Sequence, residues 1–225
     1  MKIITLLFIF ISGIGFSQTV EIDKIKALDK KVYSKIIEYS YGDLDGDNDR
    51  ELLLILNRFD SSENNIPRDL IILKRYDLSW NIWKKSSAII LGSDEGGIMG
   101  DPFQEAYIDS NKIYISQAGG SRWRWSENYI YRFKEETFLL ESYSSYWGAL
   151  CETKIEVEFN LSSGKIYYSE DIEDCPEGFG NNNHLLDSLP ITEEFFHQDL
   201  RIDLFNENQL NYDIVTPLNN TFSIR

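Results

Sequence analysis

The chain has 225 residues, with 22 Lys and Arg set against 37 Asp and Glu, a formal net charge of −15 and 42% hydrophobic residues. Negative charge on this scale repels nucleic-acid phosphates and anionic membrane surfaces, which excludes a nucleic-acid partner. Two His and two Cys form no zinc-type spacing.

Lys2 precedes an apolar run from Ile3 to Ile14, and Gly15 and Ser17 stand at the small-residue positions before Gln18. This layout predicts a secretory signal peptide over residues 1–17. The run is shorter than the roughly 20 apolar residues that a membrane span requires. The expected mature protein is therefore a single β-rich domain over residues 18–225, exported to the periplasm or beyond. It has no transmembrane segment after signal cleavage. Its length is enough to bury a core without metals or many disulfides. In an oxidising compartment Cys151 and Cys175 read first as a disulfide, which stabilises by about 3–4 kcal/mol in the chain-entropy model. Two buried thiols are the alternative.

Ile22, Ile25, Leu28 and Val32 are spaced near the helical period and predict a short opening helix. Glu51–Leu56 and Asp69–Leu73 are dense Leu/Ile runs of strand length, joined by a polar loop over Asp60–Arg68. Trp80–Leu91 has no clear period, and Gly92–Pro102 is a glycine- and acid-rich loop. Phe103–Ile108 and Lys112–Ser116 bracket Asp109-Ser110-Asn111, a hairpin turn. Trp123–Phe133 alternates, and Lys154–Leu161 and Lys165–Tyr168 flank a second hairpin turn at Ser162-Ser163-Gly164. Asp171–His184 reads as loop. Phe195, Phe196, Leu200 and Leu204 suggest a helix within Glu193–Leu204. The expected fold is mainly β: antiparallel sheets, propeller-blade-like or sandwich, with short terminal helices. The chain carries no repeat, so a complete seven-bladed propeller is not expected.

Asp43, Asp45, Asp47, Asp49 and Glu51 place a carboxylate at every second position before a buried strand. Calcium takes six to eight oxygens in flexible geometry, which closely spaced carboxylates supply. Without a cation these charges repel, by about 0.8 kcal/mol for neighbours roughly 5 Å apart even at water's dielectric constant. The segment is no ordinary EF-hand, because Leu54 stands where the bidentate Glu belongs and Asn48 where Gly belongs. Asn tolerates the left-handed backbone that the turn needs.

The Asp43–Glu51 segment resembles the D-x-D-x-D-x-x-x-D/E loop of FG-GAP/VCBS repeats, as in the propeller blades of integrin α-chains. That resemblance implies side-chain ligation by Asp43, Asp45, Asp47 and Glu51, with Asp49 offering its backbone carbonyl. It also implies calcium as the cofactor, in a structural role. The departures are Asn48 in place of the usual Gly, and a single copy. The stretch from Gly42 to Lys165 further resembles a group of uncharacterised bacterial exported proteins, through Gly96-Gly97…Gly100-Asp101-Pro102-Phe103 and Gly119-Gly120-Ser121-Arg122-Trp123-Arg124-Trp125. It implies a shared fold and supplies no activity.

On a strand Trp123 and Trp125 share one face while Arg122 and Arg124 share the other. Two readings stand. One is a recognition platform, with Trp rings stacking on a glycan or protein ligand and arginines holding anionic groups. The other is core Trp with surface Arg. No serine-hydrolase elbow, phosphate loop or zinc motif occurs. A glycan-cleaving enzyme would need only two acids, for which Asp94, Glu95 and Asp101 are candidates. The sequence points instead to an exported, calcium-binding, non-catalytic β domain, either an interaction module or an envelope-associated protein.

Overall fold

The computed structural model describes residues 25–59, 65–172, 190–197, 200–209 and 211–224. They form a mainly β, sandwich-like protein made of antiparallel sheets. The first sheet is a four-stranded meander of β1 (Tyr33–Gly42), β2 (Glu51–Arg58), β3 (Arg68–Tyr76) and β4 (Ser79–Ser86). A seven-stranded meander follows: β5 (Phe103–Asp109), β6 (Lys112–Gly120), β7 (Trp123–Lys134), β8 (Thr137–Ala149), β9 (Thr153–Asn160), β10 (Lys165–Ile172) and β11 (Ile191–Phe196). A hairpin of β12 (Tyr212–Val215) and β13 (Thr221–Ile224) completes it.

Strand order follows chain order throughout, so hairpin chemistry sets the topology. Asp77-Leu78, Ser110-Asn111 and Glu135-Glu136 each adopt positive φ at both turn positions. That is the type I′ geometry whose twist matches the flanking strands. Only Ser110-Asn111 announces itself by residue type. Gly164 (φ 73°) closes the turn between β9 and β10.

The continuous apolar runs of β2 and β3 are explained by burial on both faces. Leu53, Ile55, Leu70 and Ile72 pack inward against Ile113, Ile115, Tyr129, Tyr131 and Phe159 of the large sheet. Leu52, Leu54, Leu56, Ile71 and Leu73 pack outward beneath Ile25, Leu28 and Tyr33. Each fully buried Leu or Ile contributes about 1.5–3 kcal/mol. Ile214, Phe222 and Ile224 of the small hairpin join the inter-sheet core.

The expected terminal helices are corrected. Ile25 and Leu28 lie in a turn closed by the Leu28 N–H to the Ile25 carbonyl (3.1 Å), and their spacing reflects a short cap over the first sheet. Phe195 and Phe196 lie on β11, paired with Ile166 and Lys165, so one turns to the core and the other to solvent. Leu204 belongs to a separate run along β8, where its N–H donates to the Phe138 carbonyl (2.9 Å). Among the described residues the only helical turns are short 3-10 segments at Gly97–Met99 and Glu207–Gln209. Of the expected loop Asp171–His184, Asp171 and Ile172 instead end β10, paired with Lys154 and Thr153 of β9; the rest of it, with Ile22 and Cys175, lies outside the described residues. No helix among the described residues is long and apolar enough to cross a membrane.

Candidate metal centre and aromatic groove

β1 and β2 pair as far as Gly42 and Glu51, so the acidic loop is the connection between them. Gly42 presses against Ile108 of β5, where a Cβ would lie 2.2 Å from Ile108 Cγ2. Only glycine permits that approach. Leu44 is buried in the inter-sheet core and pins the loop from within. The Asp43 carboxylate accepts from the N–H groups of Gly46 (2.7 Å) and Asn48 (3.0 Å), and Asp47 accepts from the Asp49 N–H (2.8 Å). Gly46 (φ 81°) and Asn48 (φ 69°) take the left-handed conformations that turn the chain.

Glu51 closes the loop from below. Its side chain is fully buried, and Oε2 accepts from the Leu44 N–H (2.7 Å). Oε1 is buried and accepts no hydrogen bond. Burial pushes the Glu51 carboxyl above the usual carboxylate range, against the opposing pull of the Leu44 N–H. Oxygens of Asp43, Asp45 and Glu51 approach within 4.8 Å of one another. A hard cation needs that convergence of oxygens.

The remaining acids are placed differently. Asp47 bonds to Lys74 (2.8 Å), and that contact, with the Asp49 N–H, holds its carboxyl below the ordinary range. Asp49 lines a separate recess of about 390 Å3 with Tyr41, Arg50, Arg75 and Trp80. Lys74 is the member that sequence reading missed. Its ammonium bonds to Asp45 and Asp47, stands 3.8 Å from Glu51 Oε1, and lies 5.1 Å over the Trp83 ring. Burial alone would lower its pKa, but the bonds to Asp45 and Asp47 overcome this and hold it well above the usual lysine range. The available signal was a charged residue ending the buried run Leu70–Leu73.

Trp123 and Trp125 follow the alternation that buries Tyr129, so they share its face of the large sheet, both half-buried. Trp125 stands opposite Gly119 and Trp147, and the Trp123 and Trp147 rings stack at 4.2 Å. A Cβ on Gly119 would lie 2.7 Å from Trp125 Cζ2 and 2.8 Å from Gly96 Cα. The Gly120 N–H donates to the Gly96 carbonyl (2.8 Å), so the two glycine-rich segments noted in the sequence pack together. Arg122 pairs with Glu152, and Arg124 is exposed on the opposite face. The segment therefore does not bring its Trp and Arg side chains to one site. Trp125 and Trp147 instead wall a groove of about 260 Å3 with Glu127, Tyr143, Ile155 and the β13 residues Thr221–Ser223. Glu127 is buried and accepts from the Tyr129 hydroxyl (2.9 Å). Aromatic faces beside hydrogen-bonding groups suit stacking on a ring-shaped polar ligand.

Of the acids in the glycine-rich loop, Asp101 is gripped by both terminal nitrogens of Arg68 (2.6 and 2.5 Å). Arg68 holds its carboxyl below the ordinary range, the reverse of what a general acid requires. Glu95 accepts from the Gly92 N–H (2.5 Å), and the Asp94 N–H donates to Asn65 (3.2 Å). Comparison with protein families, characterised proteins and solved structures found no match.

Proposed function

We propose that this chain is an exported, calcium-braced β domain without a catalytic role, which binds a glycan or protein ligand along its aromatic groove. The observation that carries the reading is Glu51: a fully buried carboxylate with one oxygen that accepts no hydrogen bond, clustered with Asp43 and Asp45. Glu51 Oε1 has only the Lys74 ammonium, at 3.8 Å and beyond hydrogen-bond distance; a buried oxygen so placed is costly, and a divalent cation supplies the closer partner. Asp43, Asp45 and Glu51 would hold the ion, with Asp47 joining when released from Lys74. The ion's work is mechanical, tying the β1–β2 turn to the buried start of β2. The kinship with FG-GAP/VCBS loops, the signal peptide over residues 1–17 and the Cys151–Cys175 disulfide belong to the same proposal. All three agree with an extracytoplasmic setting.

Calcium titration of the purified mature protein by calorimetry tests it, with thermal melts alongside. Extracellular calcium modules bind with Kd values of about 10⁻⁴–10⁻³ M, and calcium at a hundred-fold excess over Kd stabilises by about 2.7 kcal/mol. Asp45→Ala should abolish both the heat and the rise in melting temperature. Absence of either response in the wild-type protein would refute the metal reading. The glycan-cleaving alternative gains nothing from Asp101, whose carboxylate is committed to Arg68.

A further inference from the structure

Lys74 belongs to neither the acidic loop nor the strand that follows it. It reaches the loop through register: Leu73 of β3 stands opposite Leu52 of β2, so the next residue of β3 falls beside Glu51. Both side chains continue the inward-facing rows of Leu53, Ile55, Leu70 and Ile72. The ammonium bonds to Asp45 and Asp47 and faces Glu51 Oε1 at 3.8 Å. Asp45 and Glu51 are two of the three residues whose oxygens converge in the candidate metal centre. One positive group thus draws on the carboxylates that a metal ion would draw on.

We infer that Lys74 is a tethered cation that keeps the acidic loop closed when no metal is bound, and that a divalent ion enters only by displacing it. The inference rests on the calcium reading of the loop. An ammonium has three donors and no acceptor, so it can bridge carboxylates as a metal does, with one charge in place of two. The two cations cannot share Asp45 and Glu51 at ordinary distances, since like charges a few ångströms apart in a partly buried site repel strongly. Binding is therefore an exchange, and Lys74 sets the site's affinity. The side chain is tethered at β3 and lies over Trp83, whose ring packs on Phe133 (5.0 Å) and Phe138 (5.3 Å) of the large sheet. Displacement takes the ammonium away from that ring and so reports on itself.

Lys74→Met removes the charge and keeps an apolar stem. Calcium titrated by calorimetry into both proteins should bind the variant at least ten-fold more tightly than the wild type. The metal-free variant should melt below the metal-free wild type, having lost its internal counter-charge. Equal or weaker calcium affinity in Lys74→Met, or a higher metal-free melting temperature, overturns the inference and leaves the calcium reading standing. If neither protein binds calcium, both ideas fall together. Should Lys74→Met not fold, the wild-type protein carries the test: saturating calcium must shift the NMR signals of the Lys74 side-chain carbon next to the ammonium. Unchanged signals reject displacement.

Discussion

Asn48 is held at φ 69° with its N–H donated to Asp43, so the acidic loop depends on one non-glycine residue in the left-handed region. Most side chains lose about 1–2 kcal/mol there, and Asn is among the few that visit it readily. Asn48→Ala should therefore cost about 1 kcal/mol in urea unfolding, while Asn48→Gly should stay within a few tenths. Equal losses in both variants would place the effect in the Asn side chain and not in the backbone. The residues of the loop were legible because their contacts are local: Asp43 reaches Gly46 and Asn48, and Asp47 reaches Asp49. Lys74 was not legible, because its contact with Asp45 and Asp47 spans 29 and 27 positions and depends on the register of β3 against β2. The pairing of Trp147, an aromatic close to the Trp/Arg segment in sequence, was hidden for the same reason. Trp147 enters the groove because Trp125 stands opposite it across the β7–β8 pair.

At the scale of elements, β12 and β13 are held to the large sheet largely through one buried carboxylate. Glu193 of β11 accepts from Thr216 Oγ1 (2.5 Å), the Leu218 N–H (2.9 Å) and Asn220 Nδ2 (3.3 Å). All three donors belong to the turn between the two short strands. A two-stranded hairpin is marginal alone, so these bonds and the apolar contacts of Ile214 and Phe222 decide whether it docks. Glu193→Ala should cost about 2 kcal/mol by leaving the buried Thr216 hydroxyl and two partly buried donors of the turn unpaired. Native-state hydrogen exchange should then quicken roughly thirty-fold at Ile214 and Phe222, with β6 and β7 little changed. Uniform acceleration across both regions would mean that the hairpin opens only with the whole protein. The strands themselves could be read from alternation, as in Trp123–Phe133, or from unbroken apolar runs, as in Glu51–Leu56. The helical readings failed where an apolar spacing of three or four arose otherwise. At Ile25 and Leu28 it came from a capping turn. Around Phe195 and Leu204 it came from two neighbouring extended runs read as one element.

For the molecule as a whole, the first sheet is joined to the segment entering the large sheet by a charge pair buried on one side only. The Arg68 side chain is 1% exposed and that of Asp101 is 48% exposed. Arg68 also bonds to Asn57 (3.2 Å) and lies 5.8 Å over the Phe103 ring, so the arginine is fixed and the aspartate closes it from solvent. Removing the aspartate's charge leaves a buried guanidinium without its counter-ion, a defect that typically costs about 3–5 kcal/mol. The cost here falls below that range, because Asp101 is half exposed and water screens the pair. Asp101→Asn should thus lose about 1–2 kcal/mol near neutral pH, between the exposed-pair and buried-pair ranges. The acid limb carries the sharper test. Arg68 holds the Asp101 carboxyl below its ordinary range, whereas in the unfolded chain it titrates near 3.9. The unfolded state therefore binds the proton first. The pair's contribution is fully present above about pH 4 and disappears as pH falls through the lower folded value. Stability measured by urea unfolding from pH 6 down to pH 2 should fall less steeply below pH 4 in Asp101→Asn than in the wild type. Parallel acid limbs would show that other carboxylates of this acidic chain, and not the Arg68–Asp101 joint between its sheets, govern acid unfolding.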